Sequence, residues 1–355
     1  MSKTRVAVIF GGKSNEHDIS LISASYIIES IPRDKYEVIM IGITKKGHWL
    51  HYIGDVSGLK SGLWESHPDN VPCVLSPDPI DRGFIATLAD GGVQRIKVDC
   101  IFPALHGKNG EDGSIQGLFQ MSQIPYVGCD MISSACCMDK EFAHRILESE
   151  NIQMAKWCAV RLGDLDRLGD KCAEITAKLK YPLFIKPSRC GSSVGITKAH
   201  NEQELTDGIK TAFSHDVKVV VEQGISGIEC ECAVMGNDKL TVSTIGEIAP
   251  ANEFYDFESK YTVEQEQTRI PASFDGETIE KIRQTAEKAY RVIGCEGLAR
   301  VDFFLSDDGE IILNEINTMP GHTPISMYPK LMEHAGMDAA EEMSRLITLA
   351  IERNV

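Results

Sequence analysis

The 355-residue sequence has no apolar run of about 18 residues, so nothing in it is long enough to cross a bilayer as a helix. It is also short of positive charge. Its 36 Lys and Arg stand against 52 Asp and Glu, a formal net charge of −16. That balance argues against nucleic-acid and membrane partners, while leaving room for a local basic pocket around phosphate. Cysteine occurs eleven times but lacks metal-type spacing: Cys136 and Cys137 are adjacent, and Cys230 and Cys232 are two apart. An odd, scattered set fits small core residues in a reducing cytoplasm rather than a disulfide framework. Fixed-period repeats and low-complexity tracts are missing too, which excludes solenoids and linker-rich chains. The first apolar run, Val6–Phe10, ends at Gly11-Gly12 and is expected to be a buried strand rather than a signal peptide.

What is present is an ordinary globular composition, 43% hydrophobic and 25% charged, in a chain long enough for two or three domains. Strand and helix signals alternate through the first third: a strand at 6–10, a helix at 19–31, strands at 36–43 and 98–102, and a helix at 114–123. This order predicts an open parallel α/β sheet with crossover helices. Residues 45–97, rich in Gly, Pro and short β-like runs, read as an elaboration of it. Boundaries near 128 and 222 divide the chain into 1–128, 129–222 and 223–355. Helices are expected at 139–150, 172–180, 201–213 and from Ala339, with strands at 181–187, 217–222 and 228–235.

The densest chemistry lies in Leu298-Ala-Arg-Val-Asp-Phe-Phe-Leu-Ser-Asp-Asp-Gly-Glu-Ile-Ile-Leu-Asn-Glu-Ile-Asn-Thr318. Asp308-Gly309 between apolar runs predicts a two-residue type I′ hairpin turn. Asp302 then faces Glu315 and Arg300 faces Asn317, all on one side of the hairpin. Opposed carboxylates repel. A bound cation relieves that, and Asp, Glu and Asn offer the oxygen ligands that suit Mg²⁺ completed by substrate phosphates. The competing account is a solvated face of an amphipathic hairpin.

Five other segments have chemical potential. Ser188-Arg-Cys-Gly-Ser-Ser-Val-Gly195 follows a buried strand holding Lys186, a pairing suited to wrapping phosphate oxygens, although its spacing is not that of a Walker A loop. A Lys in Pro-Leu-Phe-Ile-Lys-Pro187 wants an anionic partner. The segment 219–229, a strand ending in a polar turn, can offer backbone groups to an adenine edge and a carboxylate to a ribose. Phe254-Tyr-Asp-Phe-Glu-Ser-Lys-Tyr261 has no helix or strand period and reads as a water-excluding lid. Glu16 starts a helix, where the dipole favours a carboxylate and a substrate ammonium would be welcome. His106 ends a parallel strand, where open α/β sheets bind ligands.

Together these motifs resemble the D-alanine–D-alanine ligases of the ATP-grasp superfamily, over almost the whole chain. The likeness rests on Gly11-Gly12 with Glu16-His17 and Ser20-Leu21, Leu105-His-Gly107 with Gly110-Glu-Asp-Gly113 and Gln116-Gly117, and Met138-Asp-Lys140. It continues through Lys186-Pro-Ser-Arg189 with Gly191–Gly195, Phe254-Tyr-Asp256 with Lys260-Tyr261, Arg300-Val-Asp302, Glu315–Gly321, and Ser326-Met-Tyr-Pro329. The resemblance implies a three-domain ATP-grasp fold, an N-terminal open parallel α/β domain plus central and C-terminal α+β domains clasping ATP. It implies an ATP-dependent ligation of two D-alanines through an acyl phosphate, for peptidoglycan precursor synthesis. Lys140 and Lys186 would contact phosphates, with Ser192 and Ser193 in the covering loop. Glu222, Ile225 and Glu229 would hold adenine and ribose. Asp302, Glu315 and Asn317 would bind two Mg²⁺ ions, with Mn²⁺ as a substitute. Glu16, near His106, would hold the first ammonium. Arg300 and the Gly321 N–H would stabilise the tetrahedral oxyanion. Ser326, Met327 and Lys260 would receive the second substrate, and Tyr261 would close the lid onto Ser192 and Glu16. Members are commonly cytoplasmic homodimers. A D-alanine–D-serine ligase of the vancomycin-resistance type keeps the mechanism and changes the second substrate; Met327, apolar, suits the methyl of alanine.

The lid assignment generates a test. Tyr261→Phe is expected to slow ligation much more than it weakens ATP binding. Nucleotide affinity measured by calorimetry beside turnover checks this; equal losses in both would move Tyr261 into the nucleotide site.

Overall fold

Parallel pairing begins at the first buried run. In the computed structural model, which describes residues 2–249 and 267–353, strand Thr4–Gly11 lies between Tyr36–Ile43 and Cys100–Ala104 and runs parallel to both. Helix His17–Ser30 makes the first crossover. The 45–97 elaboration extends the same sheet through Trp49–Tyr52, Val71–Leu75, Gly83–Thr87 and Val93–Lys97, each antiparallel to its neighbour. The sheet is therefore mixed, parallel only at one edge, where Tyr36–Ile43, Thr4–Gly11 and Cys100–Ala104 pair. Parallel neighbours need a crossover of a dozen or more residues, and the connections 44–48, 76–82 and 88–92 are too short for one.

The middle of the chain forms an antiparallel sheet in the order Thr197–Ala199, Leu183–Pro187, Lys218–Gln223, Trp157–Arg161. Helix Glu202–Phe213 starts at an Asn201 cap, whose side chain accepts from the Glu204 N–H. Helix Leu168–Thr176 begins and ends earlier than expected. The residue before a proline disfavours helical backbone, and Tyr181-Pro182 closes this stretch. A helix that the apolar pattern did not announce, Met131–Met138, leads into Lys140–Ser149.

The last sheet runs Gln267–Arg269, Leu240–Ala249, Gly227–Gly236, Gly297–Ser306, Ile311–Asn317, all antiparallel. Its final hairpin differs from expectation twice. Gly309 has φ +80° and its N–H donates to the Ser306 carbonyl, while the Ser306 N–H donates to the Glu310 carbonyl. The loop is three residues long, with Gly in the left-handed position that such loops require. Further on, a bulge between Asp302 and Phe303 leaves Asn314 as an extra residue. The two one-residue offsets cancel, so Asp302 still pairs with Glu315 and Arg300 with Asn317.

One continuous core joins the first sheet to the last. Phe10, Leu21 and Ile27 pack with Tyr328 and Leu331 of helix Met327–His334 and with Leu346 and Ile347 of helix Ala339–Glu352. Each such side chain contributes roughly 1.5–3 kcal/mol when fully buried. This packing sets the start of helix His17–Ser30 against the exit of the last hairpin. All eleven cysteines are free thiols. No helix among the described residues is long and apolar enough to cross a membrane.

Candidate active site

The register of the last sheet lines up three carboxylates across three strands: Glu231 pairs with Asp302, and Asp302 with Glu315. Strand spacing brings opposed side chains to about 5 Å, where like charges destabilise the sheet. Arg300 lies beside this row. Its Nε donates to Asp302 Oδ1 at 2.8 Å, its terminal NH2 to Oδ2 at 2.7 Å, and Nε lies 2.9 Å from Glu231 Oε2. Asn317 Nδ2 donates to Asp302 Oδ2 at 2.8 Å. Burial would lower the Arg300 pKa, but Asp302 and Glu231 outweigh it and hold the guanidinium firmly charged. Glu231 was invisible in the sequence as a partner of this group, because its pairing crosses some seventy residues.

Above this face lie two adjoining cavities, about 160 and about 300 Å³, which share Lys140, Gly191, Ser192, Ile248 and Glu315 on their walls. In the smaller one Glu16 stands at the N-terminus of helix His17–Ser30 and accepts a short hydrogen bond from the Ser192 hydroxyl. Gly107 makes this approach possible. It has φ +68°, and a Cβ there would fall 2.1 Å from Glu16 Oε2. Glu111, which sequence reasoning passed over inside its Gly-Glu-Asp-Gly motif, lines the same cavity and accepts from the Gly107 N–H at 2.9 Å. Burial and the neighbouring Glu16 charge push its carboxyl up to about 8. His106 also reaches this wall, but both ring nitrogens are engaged, Nδ1 with the Met319 carbonyl at 3.1 Å and Nε2 with Ser23 Oγ at 2.9 Å. Burial and nearby His322 hold it neutral, its pKa down at about 4. It shapes the wall with both ring nitrogens engaged within the protein.

The larger cavity collects Lys140, Lys186, Ser192, Ser193, Glu222, Ile225 and Glu229. Lys186 has found its anion within the protein: Nζ donates to Glu222 Oε2 at 2.6 Å and approaches Asn314 Oδ1 at 3.5 Å. Glu222 Oε1 is 3.0 Å from His144 Nε2. Burial raises the Glu222 carboxyl, yet Lys186 and His144 pull it down to about 2. Its charge is thus balanced within the protein. Lys140 Nζ donates to the Cys190 carbonyl at 2.8 Å, tying it to the base of the Gly-rich loop. Ser192 and Ser193 both sit at left-handed φ, +50° and +57°, a conformation that costs non-Gly residues of order 1–3 kcal/mol each and is often found where a loop clamps a ligand.

The hairpin exit completes the smaller cavity with Gly321, Ser326 and Met327. Ser326 Oγ accepts from the Thr323 N–H at 3.0 Å and lies 2.7 Å from Thr323 Oγ1. Met327 is buried, and Gly246 leaves it room, since a Cβ there would fall 2.5 Å from Met327 Sδ. Lys260 and Tyr261, with the rest of the 254–261 lid, lie outside the described residues. Among the described residues no cluster of three His, Cys, Asp or Glu side chains is arranged to hold a metal unaided. Asp302, Glu315 and Asn317 form an all-oxygen set, which fits Mg²⁺ that takes its remaining ligands from phosphates and water.

Two family models match this chain, one described as D-ala D-ala ligase N-terminus over residues 5–129 and one as D-ala D-ala ligase C-terminus over residues 146–348. The D-alanine–D-alanine ligase of Caldicellulosiruptor bescii is 44% identical over all of this chain and 97% of its own length. That of Ruminiclostridium cellulolyticum is 46% identical, covering 99% and 96%. Among solved structures, the VanG D-Ala:D-Ser ligase from Enterococcus faecalis superposes with a TM-score of 0.90 at 42% identity, covering 98% of this chain and all of that one. The D-alanine–D-alanine ligase from Coxiella burnetii gives a TM-score of 0.85 at 32% identity, covering 100% and 95%.

Glu111 makes stability depend on pH in a defined direction. Its ordinary value of 4.5 is raised to about 8 in the folded protein. The contribution is therefore complete below the ordinary value and is lost as pH rises through the raised one. Glu111→Gln, permanently neutral, should flatten this slope. Between about pH 6 and about pH 8.5 the wild-type melting temperature should fall by several degrees relative to the variant; parallel curves would contradict the assignment.

Proposed function

The chain belongs to the D-alanine–D-alanine ligase family, and we propose that it joins two D-alanines into D-alanyl-D-alanine, converting ATP to ADP and phosphate. The observation that supports this best is the seam between the two cavities. Glu16 lies on one side, Lys140 and the Gly-rich loop border both, and Glu315 is on the shared wall.

ATP would occupy the larger cavity, adenine and ribose against Glu222, Ile225 and Glu229, phosphates against Lys140, Lys186, Ser192 and Ser193. Glu16 would hold the first D-alanine by its ammonium, leaving its carboxylate directed at the seam. That carboxylate oxygen attacks the γ-phosphorus, the bond to the β-phosphate oxygen breaks, and an acyl phosphate and ADP result. Asp302, Glu315 and Asn317 would hold two Mg²⁺, or Mn²⁺, which when bound spread the charge on the phosphoryl oxygens. Ser326 and Lys260 would hold the second carboxylate while its amine, losing a proton, attacks the acyl carbon, and the acyl C–O bond breaks to release phosphate. Arg300 and the Gly321 N–H would face the oxyanion, the kind of preorganised donors that stabilise such intermediates. Acyl phosphates hydrolyse, so a lid closed by Tyr261 protects the intermediate.

The same reading divides the chain into 1–128 for the first substrate, 129–222 for the nucleotide and 223–355 for metal and oxyanion. It also places the enzyme in the cytoplasm, as a homodimer supplying peptidoglycan precursors.

Met327 decides the second substrate in this account. It offers a serine hydroxyl no partner, and an unsatisfied buried hydroxyl costs roughly 1–3 kcal/mol, or about ten- to a hundredfold. With ATP and equal D-alanine and D-serine, products read by mass should be chiefly D-Ala–D-Ala. Predominant D-Ala–D-Ser would overturn this choice and align the protein with the VanG enzyme.

A further inference from the structure

We propose that His322, held by Glu342, is a positioning residue that aims the Gly321 N–H into the site. The inference rests on the role of that N–H as oxyanion donor given above. His322 and Glu342 are both buried, 3% and 1% exposed, in the core between the hairpin exit and helix Ala339–Glu352. His322 Nδ1 lies 2.8 Å from the Pro320 carbonyl oxygen, and Nε2 lies 3.0 Å from Glu342 Oε1.

A carbonyl only accepts, so Nδ1 carries a hydrogen and donates it. A single proton then lies between Nε2 and the Glu342 carboxyl, which sets the ring's orientation. The Pro320 carbonyl and the Gly321 N–H belong to one planar trans peptide and point in opposite directions. Holding the carbonyl on the protein side therefore turns the N–H toward the cavity that Gly321 lines. The preceding carbonyl is held in the same way, since His106 Nδ1 engages the Met319 oxygen at 3.1 Å. Ser23 Oγ ties the two systems together, 2.9 Å from His106 Nε2 and accepting from the His322 N–H at 3.4 Å. Hydrogen bonding to a peptide carbonyl also polarises its N–H, strengthening it as a donor.

The two ring nitrogens can be tested separately. An Asn amide nitrogen can occupy the Nδ1 position and keep the Pro320 bond. A Gln amide reaches the Nε2 position and keeps the Glu342 contact alone. His322→Gln and His322→Phe should lower kcat about tenfold or more, since deleting an oxyanion donor outright costs about 10²–10³. Affinity for ATP should be unchanged, and His322→Asn should stay within about threefold of wild type, on the same scale. Independently of turnover, the Gly321 amide resonance in glycine-labelled protein should move in the Gln and Phe variants and return toward its wild-type position in the Asn variant. An unmoved resonance in both Gln and Phe variants, or a Gln variant as fast as wild type, overturns the proposal. Because the resonance reads peptide orientation whatever reaction the site performs, an inactive wild type would count against the proposed ligation and not against His322.

Discussion

Like charges on adjacent strands set the central constraint of this molecule. Glu231, Asp302 and Glu315 occupy one row of an antiparallel sheet, at a spacing where bare carboxylates repel. Within the protein Arg300 answers part of that charge by gripping Asp302 with two nitrogens while lying against Glu231. A structural sheet would gain more from apolar residues at these places. In the proposed reaction the row serves cations carried in on phosphates; Glu315 also lines the larger cavity.

The rest of the architecture brings other groups to this face. The core that unites helix His17–Ser30 with the two C-terminal helices fixes Glu16 relative to the hairpin exit. The central sheet brings in Lys186 and the Gly-rich loop, and the Ser192–Glu16 hydrogen bond spans from that loop to the start of helix His17–Ser30. Three separately built sheets thus converge on a few ångströms of space. Two buried pairs border this space, Lys186–Glu222 within the central sheet and His322–Glu342 between the hairpin exit and helix Ala339–Glu352.

Local signals in the sequence reached far into this arrangement. Residue alternation put Arg300, Asp302, Glu315 and Asn317 on one face, and the structure agrees. The two-residue turn predicted at Asp308-Gly309 is a three-residue loop, and the bulge at Asn314 restores the pairing. Asp-Gly supports either turn, and a bulge leaves no mark in the apolar pattern. The partners of Lys186 and Arg300 could not be read, because Glu222 and Glu231 arrive from distant strands. His106 was placed correctly at its strand end, but its role depends on Met319, more than two hundred residues away. Residues 45–97 read as an elaboration and extend the first sheet, but short β-like runs do not reveal which edge they extend.

The most direct test of the carboxylate row counts cations rather than products. Mn²⁺ binding in the presence of ADP, followed by electron paramagnetic resonance, should show two ions per chain in the wild type. Asp302→Asn and Glu315→Gln should each bind fewer and more weakly, with folding intact by circular dichroism. Undiminished Mn²⁺ binding in both variants would contradict the account, leaving the row a structural feature of the sheet.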